Sequence, residues 1–160
     1  MSEKKLNKYL TFILFIILVT LISAFIIEYV LGHKPCNLCL YQRVPYIVSI
    51  FLILEILLIK KYLKTTLLLL SFVFIVSTSL AFYHFGIEQG FFSESFVCKS
   101  KNLSETISKE QLLEELKQSA ISCKDADFKV IGLSLASING IFSLFLSVIF
   151  IKLFTKYGKN

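Results

Sequence analysis

The sequence has no Trp, one Met, two Pro and six Gly in 160 residues, and only 18% of its residues are charged. So little Gly and Pro excludes a collagen-like, linker-rich or disordered chain. The shortage of charge excludes more. Soluble domains carry about 25% charged and about 45–50% apolar residues, whereas this chain is 56% hydrophobic with a mean hydropathy of +0.75. A water-soluble architecture does not fit that composition. With Trp absent, an aromatic belt at a membrane interface falls to Tyr alone. The chain shows no internal repeat and no low-complexity tract.

What the sequence has instead is four apolar runs, at about residues 9–31, 40–59, 65–86 and 131–154. Each approaches or exceeds the roughly 20 residues that cross a bilayer. Helices apolar on every side over such lengths must be surrounded by lipid or protein. The first run, LTFILFIILVTLISAFII, meets no charge until Glu28. It is longer than a signal-peptide core and no small-residue cleavage site follows it, so it is expected to be a retained helix. The fold class expected is an all-α membrane protein, a four-transmembrane-helix bundle forming a single integral membrane domain over 1–160, with an outer loop over about 87–130.

A net charge of +6 in a soluble protein would suggest nucleic acid, but here the distribution decides otherwise, and no nucleic-acid partner is expected. Lys4, Lys5 and Lys8 precede the first run, Lys60, Lys61 and Lys64 separate the second from the third, and Lys152, Lys156 and Lys159 close the chain. Those segments hold nine Lys against one acid, Glu3, while 87–130 holds six Lys against eight acids. The positive-inside rule places both termini and the Lys60 loop in the cytoplasm, and the His33 turn and the long loop outside. The seven Tyr (9, 29, 41, 46, 62, 83 and 157) all fall near expected span ends, as a belt requires. In the outer loop, Ser108 to Gln111 fits a capping box, and Leu112, Leu113, Leu116 and Ala120 form one apolar stripe. A short amphipathic helix is expected there, lying on the membrane surface or packed on neighbouring protein.

The four Cys, at 36, 39, 98 and 123, all lie on the outer side in this topology, where disulfides form and persist. Pro35, Cys36, Asn37, Leu38 and Cys39 open the second span. Pro suits the first turn of a helix, and the helix dipole favours a thiolate at Cys36. Cys39 returns to the same face three residues later. That geometry gives a strained, readily exchanged pair. The alternatives are a static bridge, which would close almost no loop and stabilise little, or half a zinc site completed by His33 and a distal Cys. A bridge between Cys98 and Cys123 would tie the outer loop into a flap. It is either a staple or, beside an exchange-prone pair on the same face, one member of a relay.

Arg43 follows Cys39 by four residues. An Arg so close to hydrocarbon either snorkels to the headgroups or serves a site; in the second case it stabilises negative charge beside Cys39, with Gln42 helping by hydrogen bonding. His84, at the outer end of the third span, shares that level, and Glu88 pairs with it if the helix continues. Glu28 and Glu55 are expected as interface anchors or helix–helix contacts.

The runs PCNLCLYQR (35–43), YHFGIE (83–88) and SCKDADFKVIGLSLASIN (122–139) resemble the DsbB family of disulfide bond formation proteins, most closely its shorter bacterial members. The likeness covers the order of the spans, both Cys pairs and nearly the whole chain. Phe128 departs from it, standing where many members have Trp. The resemblance implies a multi-pass enzyme of the bacterial inner (cytoplasmic) membrane that reoxidises a periplasmic thioredoxin-fold thiol oxidase (DsbA-like) with membrane quinone, ubiquinone or menaquinone. It implies catalytic roles for Cys36, Cys39, Cys98 and Cys123. Cys98–Cys123 would take electrons from the partner dithiol and pass them to Cys36–Cys39, with Cys39 facing quinone. Arg43 and His84 would bind the quinone, and no metal is called for.

Two other readings compete. A vitamin K epoxide reductase-like protein also joins membrane helices to two Cys pairs, but it carries its C-x-x-C at the final core helix. A membrane binding protein or channel subunit with structural disulfides has no need of an Arg after a C-x-x-C. The topology is testable at once. After reduction, an impermeant thiol reagent should label Cys98 and Cys123 from the outer face; labelling from the cytoplasmic side alone would overturn the orientation.

Overall fold

The computed structural model describes residues 3–59, 62–93, 98, 123, 129–130 and 132–157. Its main elements are four long helices: α1 (Glu3–Tyr29), α2 (Asn37–Leu58), α3 (Leu63–Glu88) and α4 (Leu135–Tyr157). All four are long and apolar enough to cross a membrane. Before α4 comes a two-stranded antiparallel hairpin, β1 (Lys129–Val130) and β2 (Leu133–Ser134). The expected amphipathic helix over 108–120, and Phe128, lie outside the described residues.

The helices pack as a bundle with an apolar interior. On α1, Leu6, Leu10, Ile13, Ile17 and Leu21 recur every three or four residues and are buried, which is the spacing of one helical face. They join Ile53 and Ile56 of α2, Leu67, Leu70 and Phe74 of α3, and Leu146 and Phe150 of α4 in one core. Phe74 stacks on Phe150 with ring centres 5.5 Å apart. The opposite faces are equally apolar but exposed: Phe12 and Phe15 are 61% and 63% exposed, and Phe51, Phe72 and Phe145 lie similarly open. Phenylalanine on that scale faces lipid, not water. Polar side chains within the spans mostly close on their own helix. The hydroxyls of Thr20, Ser71 and Thr78 each donate to the carbonyl four residues back, at 2.8–2.9 Å. Small residues bring α3 and α4 together, with Gly140 against Ala81.

The helix ends differ from the hydropathy reading, for local reasons. α2 starts at Asn37 and not at 40, because Cys36 is its N-cap, with φ −74° and ψ 165°. Pro35 therefore stands outside the helix rather than in its first turn. α4 starts at Leu135 and not at 131, since the hairpin occupies the preceding residues and the Ser137 N–H donates to Ser134 Oγ at 3.2 Å, as a helix start requires. Helix α3 runs through His84 to Glu88 and stops at Gly90, whose φ of +77° suits glycine. Phe91 N–H bonds the Gly86 carbonyl at 2.8 Å and Gly90 N–H bonds that of Ile87 at 3.0 Å, the paired closure of a Schellman motif. The chain then folds back, placing the Phe92 ring where a side chain at 86 would stand. That ring stacks on Tyr83 at 5.7 Å. Gly86 is thus what lets the end of α3 be covered.

One Tyr does not belong to a belt. Tyr9, Tyr29, Tyr41 and Tyr62 are exposed, but Tyr46 is buried within the bundle. It is held there by polar partners on α4, described next.

Candidate active site

Cys36 and Cys39 sit at the N-terminal end of α2, one as the N-cap and one in the first turn. The Cys39 backbone N–H donates to Cys36 Sγ at 3.3 Å, so the sulfur takes the place usually held by a capping oxygen. The two sulfurs are 2.8 Å apart and not bonded. His84, on the last turns of α3, places Nε2 3.5 Å from Cys36 Sγ. Cys36 and His84 are both buried, and Cys39 is partly exposed.

These contacts act on the Cys36 thiol, pushing it down from 9.0 to about 5. The Cys39 side-chain hydrogen bond is the largest cause; burial opposes it, and the His84 hydrogen bond and charge and the Cys39 backbone N–H reinforce it. These contacts favour the thiolate, which is the nucleophilic form.

His84 is itself held by a chain of hydrogen bonds running down between α2 and α4. Gln42 Nε2 lies 3.1 Å from His84 Nδ1. Asn139 Nδ2 donates to Gln42 Oε1 at 3.0 Å, and the Tyr46 hydroxyl donates to Asn139 Oδ1. Ser143 Oγ meets Tyr46 Oη and Ser77 Oγ, each at 2.9 Å. Read from the amide groups, this pattern assigns the donors: Gln42 gives a proton to Nδ1, so Nε2 carries the imidazole N–H and turns it toward Cys36. Each buried bond contributes about 1 kcal/mol net, but stranding one partner costs about 1–3 kcal/mol, so the chain specifies its own geometry. Of these residues the sequence alone points to Gln42 as a helper of the site, and not to Tyr46, Ser77, Asn139 or Ser143. The available signal was polarity inside an apolar run, since such residues turn to the bundle interior.

Glu88 pairs with His84 across one turn, as expected from a continuing helix: its Oε1 is 3.6 Å from Nε2. The side chain is only 10% exposed, and among the described residues its Oε2 is the buried side-chain atom without a hydrogen-bond partner.

Arg43 goes elsewhere. Its guanidinium bonds Glu28 Oε2 at 2.5 Å and lies 5.1 Å from the centre of the Phe25 ring. It therefore ties α2 to α1, and among the described residues its hydrogen bond and ion pair go to Glu28, not to Cys36 or Cys39. Glu28 is a helix–helix contact, and so is Glu55, which accepts from Thr66 Oγ1 at 2.9 Å.

Cys98 and Cys123 form a disulfide with Cα atoms 5.3 Å apart. Both are buried in a cluster with Cys36, Leu38 and Ile87, against which Cys39 and Tyr83 pack. The two cysteine pairs thus share one small apolar compartment at the end of the bundle where α2 begins.

The family model for disulfide bond formation protein DsbB matches residues 7–153. An uncharacterised protein of Rickettsia prowazekii (strain Madrid E) is 30% identical over 145 residues, covering 89% of this chain and 84% of that protein.

The chemistry of Cys36 can be measured directly. In reduced, chelator-treated protein, thiolate absorbance should rise with a midpoint near pH 5 and persist to alkaline pH, because the lowered value keeps the charged form above it and loses it below. His84→Ala should move that midpoint up toward 9.0. A wild-type midpoint near 9.0 would show that the cap and the imidazole do not act on this sulfur.

Proposed function

Because the chain belongs to the DsbB family, a family of oxidoreductases for disulfide bond formation, we propose that it is a thiol:quinone oxidoreductase. It reoxidises a periplasmic thioredoxin-fold dithiol oxidase and hands the electrons to membrane quinone. The observation that carries this reading is the shared compartment: an existing disulfide, Cys98–Cys123, packed with a second, unbonded sulfur pair.

The steps balance as two exchanges and one oxidation. The partner's two thiols become its disulfide while Cys98–Cys123 becomes a dithiol. That dithiol is reoxidised as Cys36–Cys39 is reduced. Cys36 and Cys39 then lose two electrons and two protons and regain their bond. A quinone supplies a two-electron, two-proton sink that is soluble in lipid. The residues present fit such an acceptor. Cys39 is the partly exposed sulfur, and beside it the outward face of α2 (Leu40, Tyr41, Val44) is exposed and largely apolar. A lipid-borne ring reaches that face without crossing a charged surface. Arg43 and His84 would hold it.

Cys36 suits the other direction of transfer. It is buried beside the loop disulfide and carries the stabilised thiolate, so it is the sulfur through which the two pairs exchange. In this orientation the termini are cytoplasmic and both pairs face the periplasm.

The test is a quinone absorbance assay on purified protein supplied with reduced thioredoxin-fold partners. Quinone should be consumed mole for mole with partner dithiol; no consumption with any such partner would sink the proposal. Arg43→Ala should slow quinone use tens- to hundreds-fold, the effect of losing about 2–4 kcal/mol of charge stabilisation. Arg43→Lys should keep the tie to Glu28 yet recover only part of the rate, because a point charge does not copy a planar fork. Full activity in Arg43→Lys would reduce the role of Arg43 to that tie.

A further inference from the structure

Cys36, Cys39 and His84 offer two sulfurs and an imidazole nitrogen that all lie within 4.8 Å of one another. The zinc site open to sequence reading needed His33 and a distal Cys; the structure brings His84 instead, from a different helix. From this juxtaposition, together with the unpartnered oxygen of Glu88, we infer that the reduced protein binds one thiophilic divalent metal ion, of the zinc type, on Cys36, Cys39, His84 and Glu88, and that the ion blocks turnover.

Tetrahedral zinc with bonds of about 2.0–2.3 Å holds its donors about 3.3–3.8 Å apart. Cys36 Sγ and His84 Nε2 are already 3.5 Å apart, and the sulfurs, at 2.8 Å, need to spread by about 1 Å. Glu88 stands beside His84 but outside that three-donor group, and takes the fourth position only if its carboxylate turns toward the sulfurs. One of its oxygens is 3.6 Å from His84 Nε2, and the other is buried with no partner among the described residues. A carboxylate left half-satisfied in a buried place is costly, and a cation among these donors would remove that cost. Binding displaces thiol protons and needs both sulfurs as thiolates. It is therefore gated by redox state, because a Cys36–Cys39 disulfide has no thiolate to offer.

The metal makes a demand on Gln42. Nε2 binds an ion only through its lone pair, so the imidazole proton must move to Nδ1. Gln42 must then turn its carbonyl oxygen to Nδ1 in place of the amide nitrogen now there. Gln42→Glu always presents an oxygen, and so should bind the metal more tightly than the native chain, as carboxylate–histidine–metal triads do. Simple chelation by a C-x-x-C pair would not respond in this way.

The measurement uses the full chain in detergent, without quinone or partner, titrated with Co2+ and, against a chromophoric chelator, with Zn2+. Reduced protein should take up one ion per chain with a thiolate-to-cobalt charge-transfer band, and oxidised protein should take up none. Glu88→Gln should weaken binding, His84→Ala should weaken it further, and Gln42→Glu should strengthen it about tenfold. Equal uptake by oxidised and reduced protein, no uptake by reduced protein, or undiminished affinity in His84→Ala would each overturn the site. Inhibition rests on the oxidoreductase reading and is read separately: Zn2+ should halt quinone reduction and a chelator should restore it. Stoichiometric binding without inhibition would overturn the blocking role and leave the site standing.

Discussion

Hydrocarbon offers no hydrogen-bonding partner, so every polar group carried into a membrane bundle must find one in protein. This constraint organises the chain. Thr20, Ser71 and Thr78 meet it alone, by bonding their own helix. Gln42, Tyr46, Asn139 and Ser143 meet it together, and their chain ends on His84. The imidazole is thereby fixed against Cys36 by residues from two other helices. A side chain that reaches the sulfur is positioned from below, by groups that never touch it.

The end of the bundle where α2 begins adds a second constraint, the helix terminus. The first turn of α2 has N–H groups without helical partners, and Cys36 sulfur accepts one of them. The same sulfur faces the imidazole. A cysteine standing where a cap belongs starts the helix, and the Cys39 side chain and the His84 imidazole, more than the cap itself, push its thiol down. The end of α3 is closed with similar economy: Gly90 turns the chain and Gly86 leaves room for Phe92 to cover the site's flank. Arg43 stands apart from this arrangement. Its pairing with Glu28 holds α1 to α2 at the same level, which makes the rim of the site depend on three helices.

Much of this was legible in the sequence. Hydropathy located the four long helices, with the largest miss at the start of α1, which begins at Glu3 and not at 9, because crossing a bilayer is a matter of length and composition. The spacing of Cys36, Cys39, His84 and Glu88 relative to those spans placed them at one level, and the i,i+4 pairing of His84 with Glu88 followed once α3 continued. Angular position was not legible. Tyr46 near a span end reads as an interface residue until Asn139, 93 residues away, is seen to hold it inside. Arg43 four residues past Cys39 reads as a companion of the sulfur until Glu28 is seen across the helix boundary. Hydropathy weighs residues without saying which face they occupy, and partners distant in sequence leave no local trace.

The central claim is that electrons cross from the loop disulfide to the membrane pair. The direct measurement compares two electron donors, a thioredoxin-fold dithiol protein and a small membrane-permeant dithiol, in a Cys98→Ser, Cys123→Ser double variant, following quinone absorbance. The account predicts that the small dithiol still drives quinone reduction through Cys36 and Cys39 while the protein donor drives none. Normal turnover of the protein donor in that variant would contradict it and leave Cys98–Cys123 as a structural staple.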